Sequence, residues 1–305
     1  MAFESIYLWK EFLGIGTERN RKMPNLILIT GATGSAGGAL VGTLLARGSA
    51  VRAAARHIHN IPASVGVEAV RFDYSDPSTF GAALERVTGV FLVAPPMDPD
   101  AHRKLEPFIG RAGEAGVRHL VFLSAIGVEQ NEQAPLRLAE HAVMDSGIPW
   151  TILRPNFFME NFTSGFLGPM IRDQGGVFLA AGKGKTSFVS TRDIAEVAAE
   201  AFAEGGLCQE YCLTGPEALD HEEVARSISE VLGKQITYHA LPEEVMLQGA
   251  RDQGMPESSV QYLVALYRVV RKGHVAVVTE DVRQVTGREP LTFKEFVKAS
   301  QDSWQ

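Results

Sequence analysis

The segment Gly31-Ala32-Thr33-Gly34-Ser35-Ala36-Gly37 constrains the fold more than any other part of the 305-residue chain. A short apolar run, residues 25–30 (NLILIT), leads into it, and a stretch with Leu40, Leu44 and Leu45 on one side leaves it. It therefore reads as the turn from a buried strand into a helix over residues 35–47. Glycines at this spacing then have a physical use. Gly31 lets the chain turn sharply, Gly34 removes a side chain where a pyrophosphate must approach the backbone, and Gly37 lets the helix pack close to the strand. The backbone N–H groups from Thr33 through Ala36, at the positive end of the helix dipole, are the candidate phosphate ligands.

Strand and helix signals alternate beyond this turn. Residues 50–55, 68–72, 89–93, 117–123 and 149–153 read as strands, and residues 76–87, 100–115 and 134–146 as helices. Such repeats predict an α/β fold, a Rossmann-type doubly wound parallel sheet. Right-handed crossovers place the first strand centrally and the ligand at the carboxyl edge of the sheet. After Pro155 the alternation loosens. Residues 156–185 are rich in Gly and Phe and carry little period. Ser190 or Thr191 caps a helix at 194–203, helices at 222–232 and 293–303 accompany strands at 210–213 and 235–240, and the region 242–272 is mostly helical. The expected organisation is an N-terminal extension (1–23), an NAD(P)-binding Rossmann domain (24–155) and a smaller C-terminal α/β substrate lobe (156–305), interleaved with the sheet and forming one wall of a cleft.

Composition narrows the partners. Hydrophobic residues make up 45% and charged residues 21% of the chain, as in soluble globular proteins. There are 29 Lys and Arg against 36 Asp and Glu, and the net charge of −7 argues against a nucleic-acid partner. The one basic cluster, Arg19, Arg21 and Lys22, is short. Cys208 and Cys212 read as packed core thiols, with neither a disulfide framework nor metal-ligand spacing, which fits a reducing, cytoplasmic compartment. No apolar run approaches membrane-spanning length, and Glu4, Lys10 and Glu11 interrupt any secretory signal. A small-molecule substrate is the expected partner.

The glycine spacing is G-x-x-G-x-x-G, and it resembles that of the atypical short-chain dehydrogenase/reductases of the NmrA-like group. Other stretches fall in the same order. They are Val51–Arg56, Phe72-Asp73-Tyr74-Ser75-Asp76-Pro77, Ser146–Pro155 (SGIPWTILRP), Phe158-Met159-Glu160-Asn161 and Val189–Ala195 (VSTRDIA). The terminal Val285-Thr286-Gly287-Arg288 with Thr292-Phe293 looks most like the clavine-type alkaloid (festuclavine) dehydrogenases and, more distantly, the triphenylmethane reductases. The resemblance implies an adenine-side turn at Asp73 and Tyr74. Together with the carboxyl-edge rule it places Val93, Ala94 and Pro95 beside the nicotinamide ribose, and Pro155, Asn156 and Phe157 at the nicotinamide end.

Cofactor choice can be read from the residues themselves. An NAD site needs an acid about 20 residues beyond the glycines for the ribose 2′-OH. No Asp or Glu occurs between Gly31 and Glu68, and the second strand ends instead at Arg56, followed by His57. A guanidinium there suits a 2′-phosphate, so NADP is the expected cofactor. Arg52 is a second candidate on the same strand.

The chemistry is less conventional. Short-chain reductases use a Tyr-x-x-x-Lys pair after the fifth strand as proton donor. Between Ser124 and Trp150 there is neither a Tyr nor a Lys, and the position where some members of the group carry a Lys or His is Leu136. Ser124, Arg137 and His141 are the remaining catalytic candidates. Two readings follow. One is an NADPH-dependent reductase acting on an already activated acceptor, such as an iminium, a cationic dye or a quinone. The other is an NADP-binding redox sensor without turnover. Trp150, Phe157, Phe158, Met159, Phe162 and Phe166 form an aromatic, apolar set suited to a flat hydrophobic ligand.

Overall fold

Alternate residues of β1 (Leu26–Ile29) feed two different cores, and the architecture follows from that. Ile27 and Ile29 pack under one face of a sheet with Ala36, Leu40 and Leu44, while Leu26 and Leu28 pack under the other with Phe108 and Val143. A strand covered on both faces is continuously apolar, as a central parallel strand must be. The computed structural model describes residues 25–205 and 208–304, so the extension expected over residues 1–23 lies outside the described residues.

Seven parallel strands form one sheet in the order β3-β2-β1-β4-β5-β6-β8. They are β1, β2 (Ala50–Ala55), β3 (Val67–Arg71), β4 (Val87–Val93), β5 (His119–Leu123), β6 (Trp150–Pro155) and β8 (Gln209–Leu213). Helices α1 (Ser35–Ala46) and α6 (Thr191–Glu204) pack together on one face. Helices α3 (Ala101–Glu114) and α4 (Pro135–Met144) pair on the other, and short α2 (Phe80–Leu84) joins them there. This is the doubly wound order, reversing between β1 and β4.

The chain leaves the sheet after Pro155, returns for α6 and β8, and leaves again. A boundary at Pro155 therefore divides the sequence but not the sheet. The second lobe holds α5 (Leu167–Gln174), α7 (His221–Leu232), α8 (Glu243–Asp252), α9 (Glu257–Arg271), α11 (Phe293–Ala299) and a two-stranded parallel sheet of β7 (Gly176–Leu179) and β9 (Thr237–Ala240). Its core gathers Phe162, Phe188, Tyr267 and Phe293. Local chemistry sets the helix starts. The Ser190 hydroxyl accepts the Arg192 N–H, and Asp220 with Glu223 and Thr292 with Glu295 form capping boxes.

Some expectations are corrected. The helix expected over 76–87 is a 3₁₀ turn followed by α2, because Val87 already begins β4. β7 and α10 (Asp281–Thr286) lie where no element was expected. Cys208 is exposed, at φ 52°, immediately before β8, and Cys212 is half-buried, so they are not a pair of packed core thiols. Among the described residues no helix is long and apolar enough to cross a membrane.

Candidate functional site

The point where the strand order reverses is held by Thr30. Its hydroxyl donates to the Phe91 carbonyl (2.9 Å) and accepts the Val93 N–H (2.8 Å), locking β1 to β4. The Tyr74 hydroxyl lies within 3.1 Å of the Thr30 Oγ1 and 3.2 Å of the Val93 carbonyl. Burial pushes its pKa up, so it stays protonated. Tyr74 thus shapes the crevice with its polar end already committed.

The chain then turns at Gly31, whose φ is +63°. A Cβ on Gly37 would lie 2.3 Å from the Gly31 carbonyl oxygen, so the first turn of α1 packs against the loop at a distance only glycine allows. Gly34 is different. It is exposed and extended (φ −89°, ψ 170°), and a Cβ there would meet only the Gly31 oxygen at 3.3 Å. Thr33 and Ser35 are also exposed, whereas Ala36 and Gly37 face inward. No side chain caps α1. The loop is therefore an open cradle backed by a helix N-terminus, which suits a pyrophosphate.

Arg56 follows β2 directly, is exposed and enters no ion pair among the described residues. Arg52 does not share its role. Its buried guanidinium donates to Glu68 and to the carbonyls of Ala82, Ala83 and Glu85. Past β3, the half-buried Asp73 accepts the Ser75 N–H (2.9 Å). Ala94 and Pro95, half-buried, follow Val93 at the end of β4.

Ser124 lies one residue past β5. The preceding Leu123 is in register with Val93, whose Cβ is 3.1 Å from the Cβ position of Gly31, so Ser124 belongs to the same edge. Its hydroxyl donates to Glu140 Oε1 at 2.6 Å. Glu140, fully buried on α4, also accepts from Arg154 Nε and Nη2 and from Arg137 Nη1, each at 2.8 Å. Burial alone would raise its pKa, but the bonds from Arg154, Ser124 and Arg137 outweigh that and hold it below the usual carboxylate value. The sequence reading missed Glu140. The available signal was Arg154, a charge inside the apolar run TILRP, which must have a buried partner.

Several candidates move. Arg137 braces Glu140 and Glu132 instead of facing the cleft. His141 pairs with Glu132 and opens on the groove between α3 and α4, away from the sheet edge. Trp150 is the first residue of β6, so about 17 Å of strand separates it from the carboxyl edge. It packs instead under the sheet. Met159 and Phe162 are buried in the core of the second lobe, and Phe158 is half-buried against the sheet core, bridged to Val189. Phe157 is half-buried with its ring centroid 6.3 Å from that of Tyr267, and Phe166 is 45% exposed. Asn156 does not offer its side chain to a ligand. It is buried, with Nδ2 donating to Ser187 Oγ (2.7 Å) and the Val275 carbonyl (2.8 Å) and Oδ1 accepting the Phe157 N–H. Glu160, unassigned from sequence, accepts the Thr191 N–H and the Ser190 hydroxyl at the start of α6. Asn156 and Glu160 staple the lobe to the sheet.

Sheet order, glycine cradle and open carboxyl edge define a dinucleotide-binding Rossmann protein. Residues 23–297 match the NmrA-like family, and the chain belongs to it. An NAD(P)H azoreductase from Xenophilus azovorans is 35% identical over 285 residues, covering 90% of this chain and 97% of that protein. Agroclavine dehydrogenase from Claviceps fusiformis is 33% identical over 242 residues, 76% of this chain and 83% of that one. Among solved structures, the triphenylmethane reductase of Citrobacter sp. complexed with NADP(H) superposes with a TM-score of 0.77 at 26% identity, covering 90% of this chain and 99% of that one.

Proposed function

We propose that the protein is an NADPH-dependent reductase that transfers hydride to an activated, flat, hydrophobic acceptor. The observation that carries this is the open glycine cradle beside a carboxyl edge that holds no Tyr-x-x-x-Lys pair. Gly31, Thr33, Gly34 and Ser35 would hold the pyrophosphate, and the exposed Arg56 the 2′-phosphate. Val93, Ala94, Pro95 and Pro155 line the edge where the nicotinamide end would lie. When bound, NADPH supplies the hydride. The chain would position cofactor and acceptor and stabilise charge, and the acceptor brings its own activation, so no alkoxide needs a side-chain acid. Phe157 and Phe166 keep free apolar surface for such a ligand. Relatives named as an azoreductase, an agroclavine dehydrogenase and a triphenylmethane reductase support this class of acceptor.

The test is steady-state NADPH oxidation with a cyclic iminium, a cationic triphenylmethane dye, an azo dye and a quinone. Turnover of at least one with NADPH preferred over NADH is expected. Tight NADPH binding with no turnover across the panel would replace the reductase with a cofactor-sensing role.

A further inference from the structure

A carboxylate offers about four lone-pair sites and no proton. Glu140 receives four donors: the Ser124 hydroxyl, two N–H groups of Arg154 and one of Arg137. Ser124 is buried, its single proton is thereby fixed on Glu140, and a group that reaches its oxygen from the carboxyl edge meets only lone pairs. A serine held this way cannot protonate or polarise a carbonyl. It can only accept a hydrogen bond.

The charges around it have one sign in excess. Arg154 Nη1 lies 2.6 Å from Glu210 and its Nε 3.7 Å from Glu129, and Arg137 Nε lies 3.1 Å from Glu132. With Glu140, four carboxylates meet two guanidiniums, an excess of two negative charges among these groups, with the His141 imidazole 2.7 Å from the outermost of them, Glu132. Glu129 sits in the turn that follows Ser124, and its Oε2 is buried without a hydrogen-bond partner. A cation at this edge meets attraction that a neutral acceptor does not.

The geometry points to an acceptor that is a cation carrying its own donor: Ser124 takes the N–H of a protonated imine, and Glu140 is the positioning residue that keeps Ser124 an acceptor. This rests on the reductase reading and narrows it. The electron balance needs no acid from the chain. Hydride from NADPH forms the new C–H bond, the C=N π pair falls onto nitrogen, NADP⁺ and a neutral amine result, and the amine keeps the N–H it arrived with.

A matched pair of substrates tests this: protonated 3,4-dihydroisoquinoline and its N-methyl iminium, which has the same cation but no donor. A neutral quinone is the third acceptor, and NADPH affinity is followed separately by cofactor fluorescence. The expected result is a kcat/KM ratio favouring the N–H iminium over the N-methyl one. Ser124→Ala should lower that ratio about tenfold, the scale of one hydrogen bond to a charged group, and Ser124→Thr should restore it. Glu140→Gln should erode the same ratio, because an amide can donate to Ser124 and free its proton. A ratio is insensitive to the fraction of folded enzyme. If Glu140→Gln does not fold, Ser124→Ala decides alone, since it leaves both arginines paired. An unchanged ratio in Ser124→Ala, or a loss that appears only as weaker NADPH binding, overturns the inference and leaves the reductase intact. Turnover of none of the three overturns both.

Discussion

Gly34 and Gly37 are three residues apart in one loop, and the structure assigns them opposite sensitivities. At Gly34 the backbone is extended, a conformation open to any residue, and the added Cβ would have its nearest neighbour, the Gly31 oxygen, at 3.3 Å. Gly34→Val should therefore change folding stability by no more than about 0.5 kcal/mol, as at an ordinary surface position. Its methyls would nevertheless stand in the mouth of the cradle, and NADPH affinity should fall by about two decades, the equivalent of roughly 2.7 kcal/mol. At Gly37 the Cβ would lie 2.3 Å from a backbone oxygen and 2.8 Å from its carbonyl carbon, and neither atom can rotate away. Overpacking of that kind costs about 1–3 kcal/mol, and the better helix propensity of Ala returns about 1 kcal/mol. Gly37→Ala should thus destabilise by about 0–2 kcal/mol. Urea unfolding measures the stabilities and cofactor fluorescence titration measures the affinities. A folded Gly34→Val that binds NADPH as the unmodified protein does would refute the cradle.

Arg56→Ala should weaken NADPH by about one to two decades and leave NADH nearly unaltered, because it removes a charge-assisted phosphate contact of about 1.5–3 kcal/mol; equal affinities for both cofactors in the unmodified protein would end that assignment. Acid should destabilise the fold through two buried imidazoles. His119 and His221 both have pKa values lowered by burial to about 4, so the unfolded chain binds more protons below the ordinary value of 6.5. Their contribution is fully present above that value and is lost as pH falls toward 4, by about 2 kcal/mol each between pH 8 and 5. His221, ringed by Phe162, Phe188, Tyr238 and Tyr267, should tolerate Phe. His221→Phe should flatten the pH dependence of urea unfolding, and an unchanged slope would show that His221 does not titrate with folding.

The elements that could be read from sequence are those whose burial is two-sided. β1 is the plainest case, LILI buried throughout, because a strand packed on both faces is an unbroken apolar run, and β2 was expected at its observed limits, residues 50–55, although Arg52 interrupts its apolar residues. The glycine loop was legible for a related reason: a positive φ at Gly31 and a 2.3 Å approach at Gly37 leave no other residue type. Side-chain partnerships were not. Ser124, Glu140 and Arg154 meet only after a strand, a helix and a second strand have folded back, so no local spacing marks them. The aromatics of residues 157–166 have no period, and which of them face the core depends on the short 3₁₀ turn at Met159–Phe162. Trp150 was misplaced by chemistry type alone. Its position at the start of an expected strand already put it at the wrong edge for a ligand.

The stretch that most resembles the family, residues 151–161, turns out to be largely mechanical. Arg154 anchors the charge cluster under Ser124, Asn156 ties the end of β6 to Ser187 and Val275, and Glu160 caps the helix that carries the chain back to the sheet. Each is a polar group buried or half-buried at a lobe junction, where a lost bond leaves its partners unpaired and costs more than the bond itself contributed. A ligand between the lobes therefore meets a wall fixed to the sheet edge by side chains that do not touch it. Of the aromatic set in residues 157–166, Phe166 is exposed, Phe157 and Phe158 are half-buried, and Met159 and Phe162 are locked in the core. The apolar side of the cleft offers shape without polar discrimination. Discrimination would then fall to the polar side, where the inferred acceptor is Ser124, its proton held by Glu140 beside the Arg154 charge cluster. On the reading proposed above, the carboxyl edge would choose among acceptors by charge and by hydrogen-bond polarity, and the apolar side would accept whatever is flat enough to enter.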